Sequence, residues 1–127
     1  MIFIYYLLMK NKEIGRLAEE RVVEVMEKHG FRLLARNYEV HNVGELDAVM
    51  MKGDCIYIIE VKSRYIGNNQ VYDPALSISA AKRRKIRNTA REFIAEHRLF
   101  GKNVIFLVGL VSHSRDGFIH NVEITEF

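Results

Sequence analysis

From residue 12 to residue 29, apolar side chains return every three or four positions, at Ile14, Leu17, Ala18, Val22, Val25 and Met26. That spacing predicts a helix with one buried face. Asn11 stands in an N-cap position, and Gly30 closes the segment behind Lys28 and His29. The pattern then changes to partial alternation over residues 31–40, a strand, followed by a turn at Asn42-Val43-Gly44. Residues 45–51 and 55–61 predict two more strands, and Lys52-Gly53-Asp54 between them contains Gly-Asp, a two-residue hairpin signal. Both strands are apolar at nearly every position, so the sheet must be covered on both faces. Residues 64–77, with Gly67-Asn68-Asn69-Gln70 and Asp73-Pro74, form the longest irregular stretch, of a length often tied to function. A second helix is predicted over 79–97, with Ile86, Ala90, Phe93, Ile94 and His97 on one face. A strand over 103–112, a turn at Ser114-Arg115-Asp116-Gly117 and a last strand over 118–124 complete the chain. The order α-β-β-β-α-β-β describes an α/β domain with one mixed sheet between helices.

The length of 127 residues predicts a single domain, and an apolar fraction of 49% is enough for a core without covalent staples. One cysteine, Cys55, excludes an internal disulfide and cysteine-ligated zinc. The five histidines, His29, His41, His97, His113 and His120, are scattered with no i,i+4 pair. Residues 1–9 are all apolar and then meet Lys10. A membrane span needs about 20 such residues, and the features of a secretory signal are missing. The expectation is therefore a cytoplasmic chain without a membrane partner. Residues 1–10 form an extension (a short strand, a sticky tail or a start-site artefact, with Met9 as the alternative start), and residues 11–127 form the domain.

Chemistry enters with the hairpin. If Gly53 and Asp54 are the turn residues, Lys52 faces Cys55, Asp47 faces Glu60 and Glu45 faces Lys62. Directly opposite residues share a face with Cβ atoms about 4.5–5.5 Å apart, and Lys62 shares the face of Glu60 because it is two residues on. Val49, Met51, Ile56 and Ile58 fill that face towards the turn. Two carboxylates this close repel unless a proton or a cation lies between them. Oxygen donors at that spacing suit Mg²⁺ or Mn²⁺, and a lysine beside them can orient water or neutralise charge growing on a phosphate. The plain alternative is that Asp47 with Glu60 and Lys62 with Glu45 are strand-end ion pairs that only give solubility. A one-residue slip in the turn would move Asp47 to the other face.

The net charge of +3 and pI of about 9.1 hint only weakly at a polyanionic partner. Their distribution says more: Lys82, Arg83, Arg84, Lys85, Arg87 and Arg91 follow one another with no acid among them. Helices ordinarily mix signs, and a phosphate backbone would relieve the repulsion; the plain alternative is a solvated helix face. No aromatic RNA-binding motif or zinc finger is present, so backbone and shape are the expected targets.

Gly44-Glu45-Leu46-Asp47 and Glu60-Val61-Lys62-Ser63-Arg64 together resemble the PD-(D/E)xK nuclease superfamily, which includes Holliday junction resolvases and many restriction enzymes. The chain is more closely similar to the bacterial YraN-type family, through Gly15-Arg16-Leu17-Ala18-Glu19, Asn37-Tyr38, the two phrases above and Lys82-Arg83-Arg84, in that order along about residues 11–125. Leu46 replaces the proline of the superfamily's name. The resemblance implies a three-layer restriction-endonuclease-like fold. It implies Asp47 and Glu60 as metal ligands, Lys62 as catalytic lysine, and Glu19, at the edge of its helix's apolar stripe beside Val22 and Met26, as an outer ligand. The function expected is a Mg²⁺- or Mn²⁺-dependent endonuclease acting on DNA before RNA, on structured or branched forms. Lys82, Arg83, Arg84, Lys85, Arg87 and Arg64 are the expected phosphate contacts, and a homodimer is left open. The alternatives are a non-catalytic nucleic-acid-binding module on the same fold, and an interaction protein with only a charged surface.

Overall fold

The hairpin predicted around Gly53-Asp54 organises the sheet. Gly53 takes the positive φ of 60° that the first central residue of a two-residue turn of this kind requires. Lys52 pairs with Cys55, and the register continues through Ala48 and Ile59. The computed structural model describes residues 2–66 and 78–127, residues 2–10 by their backbone alone. Its elements are α1 (Ile2–Lys28), β1 (Arg32–Val40), β2 (Gly44–Lys52), β3 (Cys55–Tyr65), α2 (Ala80–Glu96), β4 (Asn103–His113) and β5 (Ile119–Glu126). The strands form one sheet in the order β1-β2-β3-β4-β5. All neighbours are antiparallel except β3 and β4, which are parallel and are joined through α2.

The near-continuous apolar strands do carry a helix on each face. Val49, Ile56, Ile58 and Val108 pack with Ile86, Ala90 and Phe93 of α2. Ala48, Met50, Ile59 and Val111 pack with Ala18, Val22, Val23 and Met26 of α1. Gly109 lets α1 lie close, since a Cβ there would meet Val22 Cγ2 at 3.0 Å. The result is the three-layer, restriction-endonuclease-like arrangement with a mixed central sheet.

Three expectations change. Asn11 does not cap the first helix, because α1 begins at Ile2. No proline or glycine stands between the apolar start and Glu13 to interrupt it, so the extension continues the helix and forms no strand. No helix among the described residues is long and apolar enough to cross a membrane. The third strand outlasts its apolar run: Arg64 and Tyr65 pair with Ser112 and His113 of β4. They leave the irregular stretch expected from residue 64, whose remainder over 67–77 lies outside the described residues.

The third change positions the site. Side chains two apart on a strand share a face, yet Leu46 packs on the α2 side and Ala48 on the α1 side. On β1, opposite them, Arg36 reaches Glu19 of α1 while Tyr38 meets Phe93 of α2 at 5.0 Å between ring centres. Both strands therefore turn over at one level, Asn37 on β1 and Asp47 on β2. Asn37 has φ 50°, the left-handed conformation that asparagine tolerates better than most residues. Beyond this level Gly44 runs against α2, where a Cβ would lie 2.6 Å from the Thr89 hydroxyl.

Candidate metal and nucleic-acid site

The β2–β3 ladder ends at Ala48 and Ile59, one pair short of Asp47 and Glu60. The backbone turnover at Asp47 explains the gap: its carboxylate takes over the next hydrogen bond, accepting from the Val61 amide at 2.8 Å. Asp47 thus lies at the seam between β2 and β3 rather than flat on the α2 face. Glu60 keeps the alternation of Ile56 and Ile58 and points to α2. It is only 6% exposed, and its carboxyl lies close enough to that of Asp47 to feel its negative charge. The two carboxyls are neighbours, as the turn register implied, but through a side chain inserted in the ladder instead of a sixth backbone pair.

Each carboxyl raises the question of what balances it. Burial pushes Glu60 up to about 7, and the negative charge of Asp47 adds to the rise against Lys82 and Lys62. Burial also raises Asp47, opposed by the Val61 amide, Lys82 and Lys62. Glu19, on α1, is raised by burial and then by Asp47, while Arg36 and a hydrogen bond to Asn37 work the other way. Three carboxyls thus meet three cations. Arg36 stands 3.7 Å from Glu19, Lys82 stands 3.5 Å from Glu60, and Lys62 acts on the central pair. Glu45 stands opposite Glu39 on β1.

Glu60, buried, and Asp47, half-buried, are two neighbouring and mutually repelling oxygen donors, a set that suits a hard divalent cation. Mg²⁺ in particular is commonly held by one or two carboxylates while it keeps several waters. Among the described residues no group of three or more His, Cys, Asp or Glu side chains is gathered for a metal ion. Glu19 is near enough to be felt electrostatically but is engaged by Arg36.

The basic residues of α2 divide between different surroundings. Lys82, counted from sequence with the phosphate contacts, is the partner of Glu60. Arg83 Nε donates to the Ile78 carbonyl at 3.1 Å, and its guanidinium lies 5.6 Å from the Phe127 ring centre. Arg84, Lys85, Arg87 and Arg91 are exposed. Lys85 borders a cleft of about 360 Å³ with Glu39, Gly44 and Glu45, while Arg87 and Arg91 border one of about 200 Å³ with Val104 and Phe106. Arg64 Nε donates to Ser112 Oγ at 3.1 Å across β3 and β4. The first turn of α2 holds cations and no acid, an arrangement that opposes the helix dipole; Glu60 supplies the missing negative charge.

Two members of this cluster escaped the sequence reading. In sequence Lys82 is indistinguishable from its basic neighbours, although its place three residues after the N-cap Ser79, which accepts from the Lys82 amide, aims it beyond the helix end. Arg36 precedes the Asn37-Tyr38 pair and carries no signal of its own; its Nε is buried without a hydrogen-bond partner among the described residues.

The sequence profile of the uncharacterised protein family UPF0102 matches residues 18–110, a span that includes Glu19, Asp47, Glu60, Lys62 and the basic part of α2. A UPF0102 protein of Dictyoglomus turgidum is 36% identical over 115 residues, 91% of this chain and 95% of the relative. One from Brachyspira hyodysenteriae is 42% identical over 93 residues, 72% of this chain and 75% of the relative. One from Clostridium perfringens is 33% identical over 96 residues, 76% of each chain. The chain belongs to the UPF0102 family, the YraN-type group of the restriction-endonuclease-like superfamily.

Proposed function

We propose that this protein is a divalent-metal-dependent endonuclease that hydrolyses phosphodiester bonds in DNA, with structured or branched DNA as its preferred form. The observation that carries the reading is the half-buried Asp47 beside the buried Glu60 at the seam where β2 and β3 part, with Lys62 beside them and the cationic start of α2 above them. Asp47 and Glu60 would hold Mg²⁺ or Mn²⁺, with Glu19 as an outer carboxylate. When bound, such an ion supplies Lewis-acid stabilisation of a phosphoryl oxygen and an easily deprotonated water. Asp47 is held in place by the Val61 amide, so its oxygen is pre-aimed. Lys62, on β3 where it pairs with β4, would balance negative charge building on the phosphate. The exposed Arg84, Arg87 and Arg91 supply sequence-independent grip on the backbone.

The test is cleavage of supercoiled, linear, single-stranded and four-way-junction DNA with Mg²⁺ and with Mn²⁺. Cutting by the wild type that Asp47→Asn and Glu60→Gln abolish supports the enzyme. Intact substrates under all these conditions, with salt-dependent binding retained, replace it with the second reading, a gripping module.

A further inference from the structure

Resting on the reading of Asp47 and Glu60 as a divalent-cation site, we propose that Lys82 is an internal counter-ion that the cation displaces, and that its freed ammonium then becomes a phosphate contact, so that metal and nucleic-acid backbone bind cooperatively.

The placement of Lys82 differs from that of every other basic residue of α2. Its Nζ lies 3.5 Å from Glu60 Oε1, and the two side chains are 44% and 8% exposed. The carboxylate is thus fixed and buried while the ammonium reaches it from solvent on a flexible four-carbon stem. Lys82 also acts on both Asp47 and Glu60 more strongly than Lys62 does. Its ammonium sits where a positive charge is needed and where a divalent cation would place a stronger one. Two cations cannot share the same carboxylates closely without repulsion, and the lysine is the one free to leave. The backbone of Lys82 stays put, because its amide donates to Ser79 Oγ at 3.1 Å. A released side chain therefore remains at the start of α2, beside the exposed Arg84 and Lys85.

This arrangement links two binding events. Without metal, Lys82 is spent on Glu60 and does not serve a phosphate. With metal it is available, so cation binding adds one backbone contact, and by reciprocity the backbone favours cation binding. Lys62 also repels a cation, but it is on β3 within the sheet and is not exchanged between two partners.

The experiment uses the full chain, wild type, Lys82→Met and Lys82→Gln, with Mn²⁺ followed by calorimetry. Binding to a fluorescent DNA duplex is followed over a range of salt, without divalent ion and with Ca²⁺ to keep strands intact. Both variants should bind Mn²⁺ about tenfold more tightly, the effect of about 1.4 kcal/mol for an opposing half-exposed ion pair. The salt slope of DNA binding should steepen by about one on adding Ca²⁺ in the wild type and stay unchanged in both variants. Equal Mn²⁺ affinities in wild type and variants, or the same steepening in all three, overturn the role of Lys82 and leave the cation site standing. No Mn²⁺ binding in any of the three overturns the cation site itself.

Discussion

Replacing Glu60 by glutamine keeps the shape of the side chain and removes its titration. In the metal-free wild type, Glu60 is raised from 4.5 to about 7, first by burial and then by Asp47. The direction sets the sign: below pH 4.5 the carboxyl is protonated in both folded and unfolded chains, and it costs nothing. As pH rises from 4.5 to 7 the unfolded chain ionises first, so the folded state loses relative stability, and above 7 the loss is constant. At about 1.4 kcal/mol per tenfold in proton affinity, the loss reaches up to about 3 kcal/mol. For a domain of this size that is up to about 10 °C in Tm. Glu60→Gln escapes it, so in EDTA the variant's Tm minus that of the wild type should climb between pH 4.5 and 7 and level off above. Differential scanning calorimetry in matched buffers at fixed ionic strength reads this directly. Parallel pH profiles for the two proteins would refute the burial and coupling assigned to Glu60.

Lys62→Ala should leave Mn²⁺ affinity unchanged or higher while cleavage falls about 10²-fold, the size expected for losing one electrostatic stabiliser; a parallel loss of metal binding would make Lys62 a structural support. Replacing Arg84, Arg87 and Arg91 together by alanine should flatten the salt dependence of DNA binding by about one for each lost phosphate contact; Arg83 is left in place because it caps Ile78 and covers Phe127. Gly44→Ala drives a Cβ to 2.6 Å from the Thr89 hydroxyl and should cost about 1–3 kcal/mol by urea denaturation, with a smaller cost when Thr89 is also alanine.

The hairpin register was legible because one glycine in a two-residue turn sets the pairing of everything adjoining it, and the observed pairs follow that count down to Ala48 and Ile59. The break at Asp47 was not legible, since alternation is a rule within one strand and the turnover involves Asn37 on the neighbouring one. The layers could be read because strands such as 55–61, apolar at both parities, have no solvent face to offer. Helix ends were less secure: Asn11 is a competent cap, yet nothing before it stops a helix, and α1 runs through. Lys82 and Arg36 show the limit for site residues. A carboxylate pair opposite a turn can be counted from sequence, but which cation meets which carboxylate depends on where α1 and α2 cross the sheet.

A crystal of the wild type soaked in Mn²⁺, with anomalous diffraction measured at the manganese edge, addresses the carboxylate pair without relying on a choice of DNA substrate. A peak about 2.1 Å from oxygens of both Asp47 and Glu60, with the Lys82 ammonium moved off Glu60, is the expected result. An anomalous map with no peak between the two carboxylates, and Lys82 still on Glu60 at a Mn²⁺ concentration that saturates hard-cation sites, would contradict the metal-dependent nuclease.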